Sequence, residues 1–338
     1  MIGSRLTRHY SFHGVAIEVT TDWAALTSAI DSRLRWLARA PAPRADVRFD
    51  FRRIPSTERQ SFKRPENPTR PVYESSLVSA VYSETRDELS IGSDDRVWVR
   101  CSPAEGATSV SYVADEPNDV WLLSHGMFTL PLLEVLKRRG MYSLHAAAVA
   151  LDHRSILLAG PSGAGKSTLA LALARAQFDF LGDDMVFLHA TADSGGVTVL
   201  AFPDEVDVTD ETARLLPELA RLVDPAPPAG YPKRPVRVED IYAARVVPSS
   251  RASLLVFPRI AGTERSVLES LDPGEALLDL APNILLTERC SSQAHLDTLA
   301  ALVRTVPCHR LHMGRDLEEV VGCLRACLQS TPRSVATV

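Results

Sequence analysis

The chain has 338 residues, of which 45% are hydrophobic, 23% are charged and 6% are aromatic, and its formal net charge is −5. That length allows two domains of ordinary size, and the composition is typical of a globular protein. The negative balance argues against nucleic acid or an anionic membrane as a partner, and no apolar run is long enough for a membrane span or a signal peptide. The five cysteines include no C-x-x-C pair, and their odd number argues against a disulfide framework. We therefore expect a soluble cytoplasmic protein.

Residues 1–117 predict a small α+β domain with an antiparallel sheet. Apolar residues at helical spacing predict a helix over 22–38, and residues 52–73, which are rich in Pro, Arg, Ser and Glu, predict an exposed loop. Alternating polarity predicts strands in the segments 8–20 (around a turn), 45–51, 76–83, 95–101 and 108–114. This part of the chain shows no constellation of catalytic side chains.

Residues 118–338 predict a second, α/β domain, which begins with one helix over 118–139. At its centre is a full match to the phosphate-binding pattern G-x-x-x-x-G-K-S/T, formed by Gly160, Pro161, Ser162, Gly163, Ala164, Gly165, Lys166 and Ser167. The apolar run 155–159 predicts a strand before this loop, and residues 168–175 consist of strong helix formers. Strand, glycine loop and helix occur in the required order, which favours a nucleotide site over an ordinary glycine turn.

The phosphate loop predicts a specific chemistry for its side chains. Glycines let successive backbone N–H groups point at an anion, and the helix that follows adds the positive end of its dipole. The pattern predicts that Lys166 reaches the outer phosphates and that the Ser167 hydroxyl holds Mg²⁺, with Thr168 next to them in the first helical turn. ATP and Mg²⁺ are therefore the expected cofactors.

The segments before and after the phosphate loop make the predicted fold and chemistry more specific. The apolar runs 144–150 and 155–159 are joined by a connection too short for a parallel crossover, which predicts an antiparallel hairpin that leads into the loop. After the helix, the apolar strand 178–181 is followed closely by Asp183 and Asp184. Paired carboxylates at a strand end beside a phosphate loop suit metal positioning and proton abstraction.

These features resemble the catalytic core of the HPr kinase/phosphorylase family and its peptide-modifying relatives, such as the lasso-peptide tail kinases. In that family a histidine precedes the loop on a strand and an Asp-Asp pair follows the loop helix. Here His145 lies 21 residues before Lys166, and Asp184 lies 17 residues after Ser167. The match covers residues 145–186. It implies an HPr-kinase-like P-loop core.

The resemblance also implies roles for the matching residues. Asp184 would be the base that takes the proton of the acceptor hydroxyl, Asp183 would help to hold the metal, and His145 would lie near the phosphates. Two alternatives remain open at this point. The acidic pair could serve Mg²⁺ alone in a protein that hydrolyses the nucleotide, and a lone strand histidine could simply complete the core.

Two further site residues are expected outside the matching segment. The family's second signature, a Glu-Ile-Arg-Gly-x-Gly type stretch that supplies a metal-binding acid, is absent as such. Glu205 is the nearest candidate for that acid, with Asp204 and Asp207 as competitors, although each could be an ordinary exposed acid. The proline-rich segment 225–235 predicts a lid or substrate loop, in which Lys233 could close over the transferring phosphate or stay solvated.

Together these observations predict an ATP-dependent kinase that transfers the γ-phosphate to a hydroxyl, with Ser or Thr of a peptide or small protein as the first expectation for the acceptor. A small-molecule kinase acting on a sugar or alcohol is the first alternative. A nucleotide-responsive binding protein without transfer activity is the second. The missing signature weakens the case for HPr itself as the acceptor, and the sequence leaves open reverse phosphorolysis and the oligomeric state, a homo-oligomer included.

Overall fold

The computed structural model describes residues 5–41, 43–58, 69–75, 78–93, 96–113, 118–191, 196–221, 233–314 and 316–331. Its contacts divide the chain into two units. The first comprises Met1–Met141 with Leu285–Ala294, and the second comprises Tyr142–Ile284 with His295–Val338. The domain boundary at residue 118 stays a prediction. Helices and sheets are combined in the described residues, which confirms the predicted mixed α/β class.

The first unit is built around one sheet. Its strands are β1 (Leu6–Phe12), β2 (Val15–Thr21), β3 (Val47–Arg53), β4 (Arg70–Glu74), β5 (Ser79–Ser83), β6 (Glu88–Ser93), β7 (Val97–Ser102) and β8 (Ala107–Tyr112). Its helices are α1 (Ala24–Arg33), α2 (Asn118–Ser124) and α3 (Gly126–Lys137), with short 3₁₀ turns at Arg35–Leu37 and Ser56–Glu58. The sheet order is β1-β2-β3-β8-β7-β6-β5-β4.

The prediction of an antiparallel sheet for this part of the chain is wrong at β3, which pairs in parallel with both β2 and β8. The connection from β2 to β3 contains α1, and a helical crossover of this kind allows consecutive strands to run in the same direction. The single helix predicted over 118–139 is also wrong. His125 leaves the helical conformation, with φ −105° and ψ −88°, and separates α2 from α3.

The two faces of this sheet differ because side chains alternate along each strand. Phe49 of β3 packs against Phe128 of α3, with ring centroids 4.6 Å apart, and Cys101 of β7 is buried against the same helix. Alternating neighbours on the same strands, such as Arg48 and Arg100, are exposed. One face therefore forms the apolar core with α3, and the other is polar.

From Tyr142 onwards the chain forms a second sheet with helices and two further short strands. The strands are β9 (Tyr142–Leu144), β10 (Ala146–Leu151), β11 (Arg154–Ala159), β12 (Asp179–Gly182), β13 (Val186–Ala190), β14 (Val197–Leu200), β15 (Val206–Val208), β16 (Arg234–Val236), β17 (Ser249–Ile260), β18 (Val267–Leu271) and β19 (Cys308–Met313). The helices are α4 (Lys166–Arg175), α5 (Asp210–Leu215), α6 (Val238–Ile241), α7 (Pro273–Leu280), α8 (Arg289–Thr305) and α9 (Leu317–Ser330), with 3₁₀ turns at Pro217–Arg221 and Ala281–Asn283.

The second sheet brings three separate chain segments to one edge. Its order is β12-β10-β11-β17-β14-β13-β9, with β19 paired to β17 and β18 to β19. The predicted hairpin is present, since β10 and β11 are antiparallel with Ala146 opposite Ala159. On its other side β10 is antiparallel to β12, and Ala148 lies opposite Gly182. The start of β10 and the ends of β11 and β12 therefore meet at the same edge.

Apolar residues cover both faces of this sheet. One cluster includes Leu169, Leu171 and Leu173 of α4 together with Leu324 of α9, all of them fully buried. The cluster on the other face includes residues of α7 and α8, among them Leu299. The sheet that carries these strand ends is therefore packed on both faces.

Within the described residues, no helix combines the length and the apolar character needed to cross a membrane. All five cysteines are free.

Candidate functional site

The phosphate loop runs from the end of β11 to the first residue of α4. Gly165, the residue before α4, has φ +94°, a left-handed conformation that costs glycine little and other residues more. A Cβ atom at this position would lie 2.5 Å from Cε of Met313. Backbone conformation and close packing both select glycine here, so the pattern in the sequence reflects a real geometric demand.

The Lys166 side chain lies over the loop from which it projects. It is only 5% exposed, and its ammonium group donates to the carbonyl oxygens of Gly160 at 2.9 Å and Pro161 at 3.2 Å. Burial lowers the pKa of Lys166, the charges of Asp184 and Asp183 oppose this, and the charge of Lys233 adds to the lowering. The four side chains therefore share one electrostatic environment.

Asp183 is a carboxyl group buried in the interior. It is 3% exposed, and among the described residues neither of its carboxylate oxygens has a hydrogen-bond partner. Burial, together with the nearby charge of Asp184, raises the pKa of Asp183 to about 7, while the neighbouring Ser167 hydroxyl and Lys166 ammonium act in the opposite direction. Buried carboxylates are normally paired or bound to a metal, so this one fits a cation that the chain itself does not supply.

The oxygen atoms at this position suit Mg²⁺. Carboxylate and hydroxyl oxygens are its preferred ligands, and it is commonly held by one or two carboxylates plus substrate phosphates, not by a cage of protein ligands. In the described residues no three His, Cys, Asp or Glu side chains come together as a metal centre. Asp183 and Ser167 therefore fit as the protein's share of a magnesium site that phosphate oxygens would complete.

Asp184 differs from its neighbour in exposure and conformation. It is exposed and has φ +60°, a left-handed conformation that Asp and Asn tolerate better than most residues. The backbone turns tightly here, since Met185 N–H donates to the Asp183 carbonyl at 2.7 Å. One buried and one exposed carboxylate at adjacent positions can carry out two different tasks.

His145 joins the acidic pair through a direct contact. It lies between β9 and β10, and its Nδ1 donates to the Asp184 carbonyl oxygen at 2.8 Å. The imidazole is exposed, so it does not fill the core as an ordinary strand histidine would. Its hydrogen bond supports the strained backbone at Asp184, because a left-handed residue other than glycine costs about 1–3 kcal/mol.

Asn283 is a residue of the candidate site that the sequence analysis did not identify. It is 6% exposed, its Oδ1 accepts from Gly160 N–H at 3.3 Å, and its backbone carbonyl accepts from His145 N–H at 2.8 Å. Its amide nitrogen donates to the carbonyls of Asp279 at 3.0 Å and Leu280 at 3.3 Å. Asn283 thus ties the start of the phosphate loop to the segment that carries His145.

Two other residues that the sequence predicted for the nucleotide and metal site, Thr168 and Glu205, contact side chains outside it. The Thr168 hydroxyl lies 2.8 Å from that of Thr212 on α5, so it contributes to packing of α4. Glu205 forms an ion pair with Arg237 at 3.3 Å and does not join the two aspartates in a metal cluster of described residues. Its assignment as a metal ligand stays a prediction, with Arg237 as a competing partner.

Lys233 is the first described residue of the proline-rich segment, of which 225–232 lie outside the described residues. Its ammonium lies 4.0 Å from a carboxylate oxygen of Asp207 on β15. Since its charge also acts on Lys166, it lies within electrostatic range of the phosphate loop. This position is compatible with the expected contact to a phosphate.

No family model and no curated protein matches this chain. Among solved structures, the Hpr(Ser) kinase/phosphatase from Coxiella burnetii matches 55% of this chain and 95% of its own, with 12% sequence identity and a TM-score of 0.31. At this TM-score the likeness supports no conclusion about the fold or the activity of this chain. The function is therefore argued from the residues of the site.

Proposed function

We propose that this chain is a Mg²⁺- and ATP-dependent kinase with an HPr-kinase-like P-loop core, which transfers the γ-phosphate to a hydroxyl of a peptide or small protein. The observation that carries this proposal is the adjacent pair Asp183 and Asp184. One carboxylate is buried without a hydrogen-bond partner among the described residues and the other is exposed, and both follow the strand that ends beside the phosphate loop.

The loop and α4 would bind the triphosphate. Backbone N–H groups at the start of a helix, together with the helix dipole, favour an anion at this position. The Lys166 ammonium needs only to leave the carbonyls of Gly160 and Pro161 to reach the outer phosphates. Lys233 would add a second positive charge at the same site.

Asp183 and the Ser167 hydroxyl would hold Mg²⁺. When bound, the ion offsets negative charge on the transferring phosphate and on the leaving diphosphate. The protein's own part is to keep Asp183 buried and fixed at the sheet edge. Ionisation of its carboxylate is unfavourable there without a cation, so metal binding and loss of its proton would be coupled.

Asp184 would act as the base. Its carboxylate takes the proton of the acceptor hydroxyl as the acceptor oxygen bonds to the γ-phosphorus, and the bond from that phosphorus to the β-γ bridging oxygen breaks to release ADP. The exposure of Asp184 supports a bulky acceptor such as a peptide, because the carboxylate can be approached from solvent. His145 positions Asp184 through its backbone carbonyl.

The test uses Lys166→Ala and Asp184→Asn in the full chain, with labelled ATP and a mixed library of Ser- and Thr-containing peptides. Asn keeps the shape of Asp184 and tolerates its left-handed backbone, but it cannot accept the proton. We expect Lys166→Ala to lose the thermal stabilisation that Mg-ATP gives the wild type. Asp184→Asn should keep nucleotide binding while transfer falls by roughly 10²–10⁴-fold.

Four outcomes would contradict the proposal. Undiminished stabilisation of Lys166→Ala by Mg-ATP would show that the loop is not the nucleotide site. Near-normal transfer by Asp184→Asn would remove Asp184 as the base. Label released by the wild type only as free phosphate would indicate a hydrolase, and label on a sugar or alcohol but not on peptides would indicate a small-molecule kinase.

A further inference from the structure

The polar face of the first unit's sheet holds a cavity of about 750 Å³. Its lining comes from β1, β2, β3, β8, β7 and β6, which are six neighbouring strands. With about 4.8 Å between strands, the cavity extends over roughly 24 Å across the sheet. Its volume lies within the range of about 300–1,000 Å³ found for ligand sites, but its outline is long.

The floor of the cavity consists of small side chains. Ala107 and Ser109 on β8, together with Ser102 on β7, line it at the middle of the sheet. Small residues at the centre, with longer charged residues on the adjoining strands, form a trough in the sheet surface. A ligand can therefore approach the backbone of β8 closely.

One arginine lies on each side of this floor. Arg48 of β3 is in register with Ala107, and Arg100 of β7 is in register with Ser109. Both side chains are exposed, and within the described residues neither has a carboxylate within ion-pair distance. Each guanidinium therefore presents its donors to whatever lies in the cavity.

The carboxylates of the lining are less available than the arginines. Asp50 is already paired with Arg5 and, at 2.7 Å, with Arg52. Glu18 lies 3.9 Å from His9, and Glu88 accepts a hydrogen bond from Ser90 at 3.3 Å. All three carboxylates are only half-exposed, whereas Arg48 and Arg100 are exposed.

The separation of the two arginines suits an extended chain. Their strands, β3 and β7, lie on either side of β8, and their register partners on β8 are two residues apart. This arrangement places their Cα atoms about 12 Å from each other. In an extended peptide, side chains on one face recur about every 7 Å, so acidic residues two or four positions apart are separated by about 7 or 14 Å. These separations lie on either side of the roughly 12 Å between the two arginines, whose long side chains can adjust to either one. A single small carboxylate would occupy only part of the trough.

We propose that this trough binds an extended acidic peptide segment, with Arg48 and Arg100 each holding a carboxylate through paired hydrogen bonds. Arginine and carboxylate match in shape, and such pairs are stronger than neutral hydrogen bonds. The small residues of β8 allow the peptide to lie flat against the sheet. The proposal does not depend on phosphate transfer, because its residues belong to the other unit from the nucleotide site.

The test measures binding by fluorescence anisotropy with the full chain and a labelled heptapeptide of alternating Glu and Ser. A peptide with Gln in place of Glu is the neutral control. We expect at least about 10-fold tighter binding of the acidic peptide, an affinity that decreases with added salt, and a loss of about 10-fold or more in Arg48→Gln/Arg100→Gln. Arg304→Gln, an exposed change on α8 in the other unit, should bind like the wild type.

Equal binding of the two peptides, no binding by the wild type, or unchanged affinity in the double Gln variant would overturn the proposal. Displacement by free glutarate at the same concentration as by the acidic peptide would also overturn it, since a small diacid would then be the occupant. If the double Gln variant does not fold, Arg48→Lys/Arg100→Lys keeps the charge without the forked geometry. That variant should bind measurably more weakly than the wild type, and equal affinity would contradict the paired hydrogen bonds.

Discussion

The imidazole of His145 donates its Nδ1 proton to the backbone carbonyl of Asp184 over 2.8 Å, and this contact joins residues 39 positions apart. Asp184 has a left-handed backbone, with φ +60°, and the hydrogen bond helps to hold it in that conformation. Experiments can distinguish whether His145 supports the backbone of Asp184 or acts through its own charge.

The first prediction concerns this contact. His145→Ala removes the donor, so Asp184 becomes less well positioned and phosphate transfer should fall by about 10-fold, the equivalent of one hydrogen bond of roughly 1.4 kcal/mol. His145→Asn places an amide N–H close to the position of Nδ1 and should restore much of the rate. The measurement is steady-state transfer together with ATP affinity. If the transfer rate falls equally in His145→Asn and His145→Ala, the imidazole acts through its charge and not as a positioning residue.

The second prediction concerns Asn283, which accepts from Gly160 N–H and supports His145 from the same backbone segment. Asn283→Ala leaves the Gly160 N–H without its partner in the interior, and the loop should lose its set conformation. We expect an ATP affinity weakened by about 10-fold, since an unmade buried hydrogen bond costs about 1–3 kcal/mol.

A matched control for Asn283 is available on the strand that leads into the loop. Ser155 is fully buried, and its hydroxyl donates to the Arg251 carbonyl at 2.9 Å, at the start of β11. Ser155→Ala should lower the melting temperature without changing ATP affinity. If both variants weaken ATP binding to the same degree, Asn283 has only a general structural role.

The third prediction concerns Gly165 and the methionine that packs on it. Gly165→Ala faces two costs, a left-handed backbone and the displacement of Met313, whose Cε would be 2.5 Å from the new Cβ. Gly163 has φ +80°, and a Cβ atom added there would have nothing within 4 Å, so Gly163→Ala has the conformational cost alone. Backbone strain of this type costs about 1–3 kcal/mol.

We therefore expect Gly165→Ala to lower the melting temperature more than Gly163→Ala. Combining Gly165→Ala with Met313→Ala should cost less than the sum of the two single changes, because the smaller side chain makes room for the new methyl group. Thermal unfolding of the single and double variants is the measurement. Additive losses in the double variant would mean that Met313 moves aside without cost.

The parts of the candidate site that the sequence can predict are those encoded over short distances. The phosphate loop occupies consecutive residues, and the hairpin of β10 and β11 follows from a connection too short for any other geometry. His145 and the two aspartates are expected at the candidate site because of their spacing from that loop. The sheet register then brings them together, since Ala146, Ala159 and Gly182 lie at one edge.

The features that the sequence did not predict depend on distant pairings. Asn283 lies 123 residues from Gly160, and no local pattern marks its contact with the loop. The parallel pairing of β3 with β8 joins segments that are far apart in the chain, whereas polarity alternation indicates a strand but not its neighbour. The strand Glu88–Ser93 escapes prediction because it is buried on both faces and rich in small and polar residues, which obscures the alternation.

The last prediction concerns the buried carboxylate of Asp183, whose pKa is raised to about 7 by burial and by the charge of Asp184. Between about pH 4 and pH 7 the native protein keeps this proton while the unfolded chain has released it. The native state then binds more protons, so the free energy of unfolding falls as the pH rises. The slope that this one group contributes is at most about 1.4 kcal/mol per pH unit.

Asp183→Asn isolates this contribution, because the amide has no proton to lose in this range. In EDTA, urea unfolding at a series of pH values across this window should show the Asn variant gaining stability relative to the wild type as the pH rises. With Mg-ATP, at a pH above this window, the wild type should become the more stable of the two proteins. The cation stabilises the wild-type carboxylate, whereas the amide of the Asn variant binds the cation poorly. Parallel pH profiles of the two proteins in EDTA would mean that Asp183 is ionised in the native state without a metal, and that the buried charge is compensated within the chain.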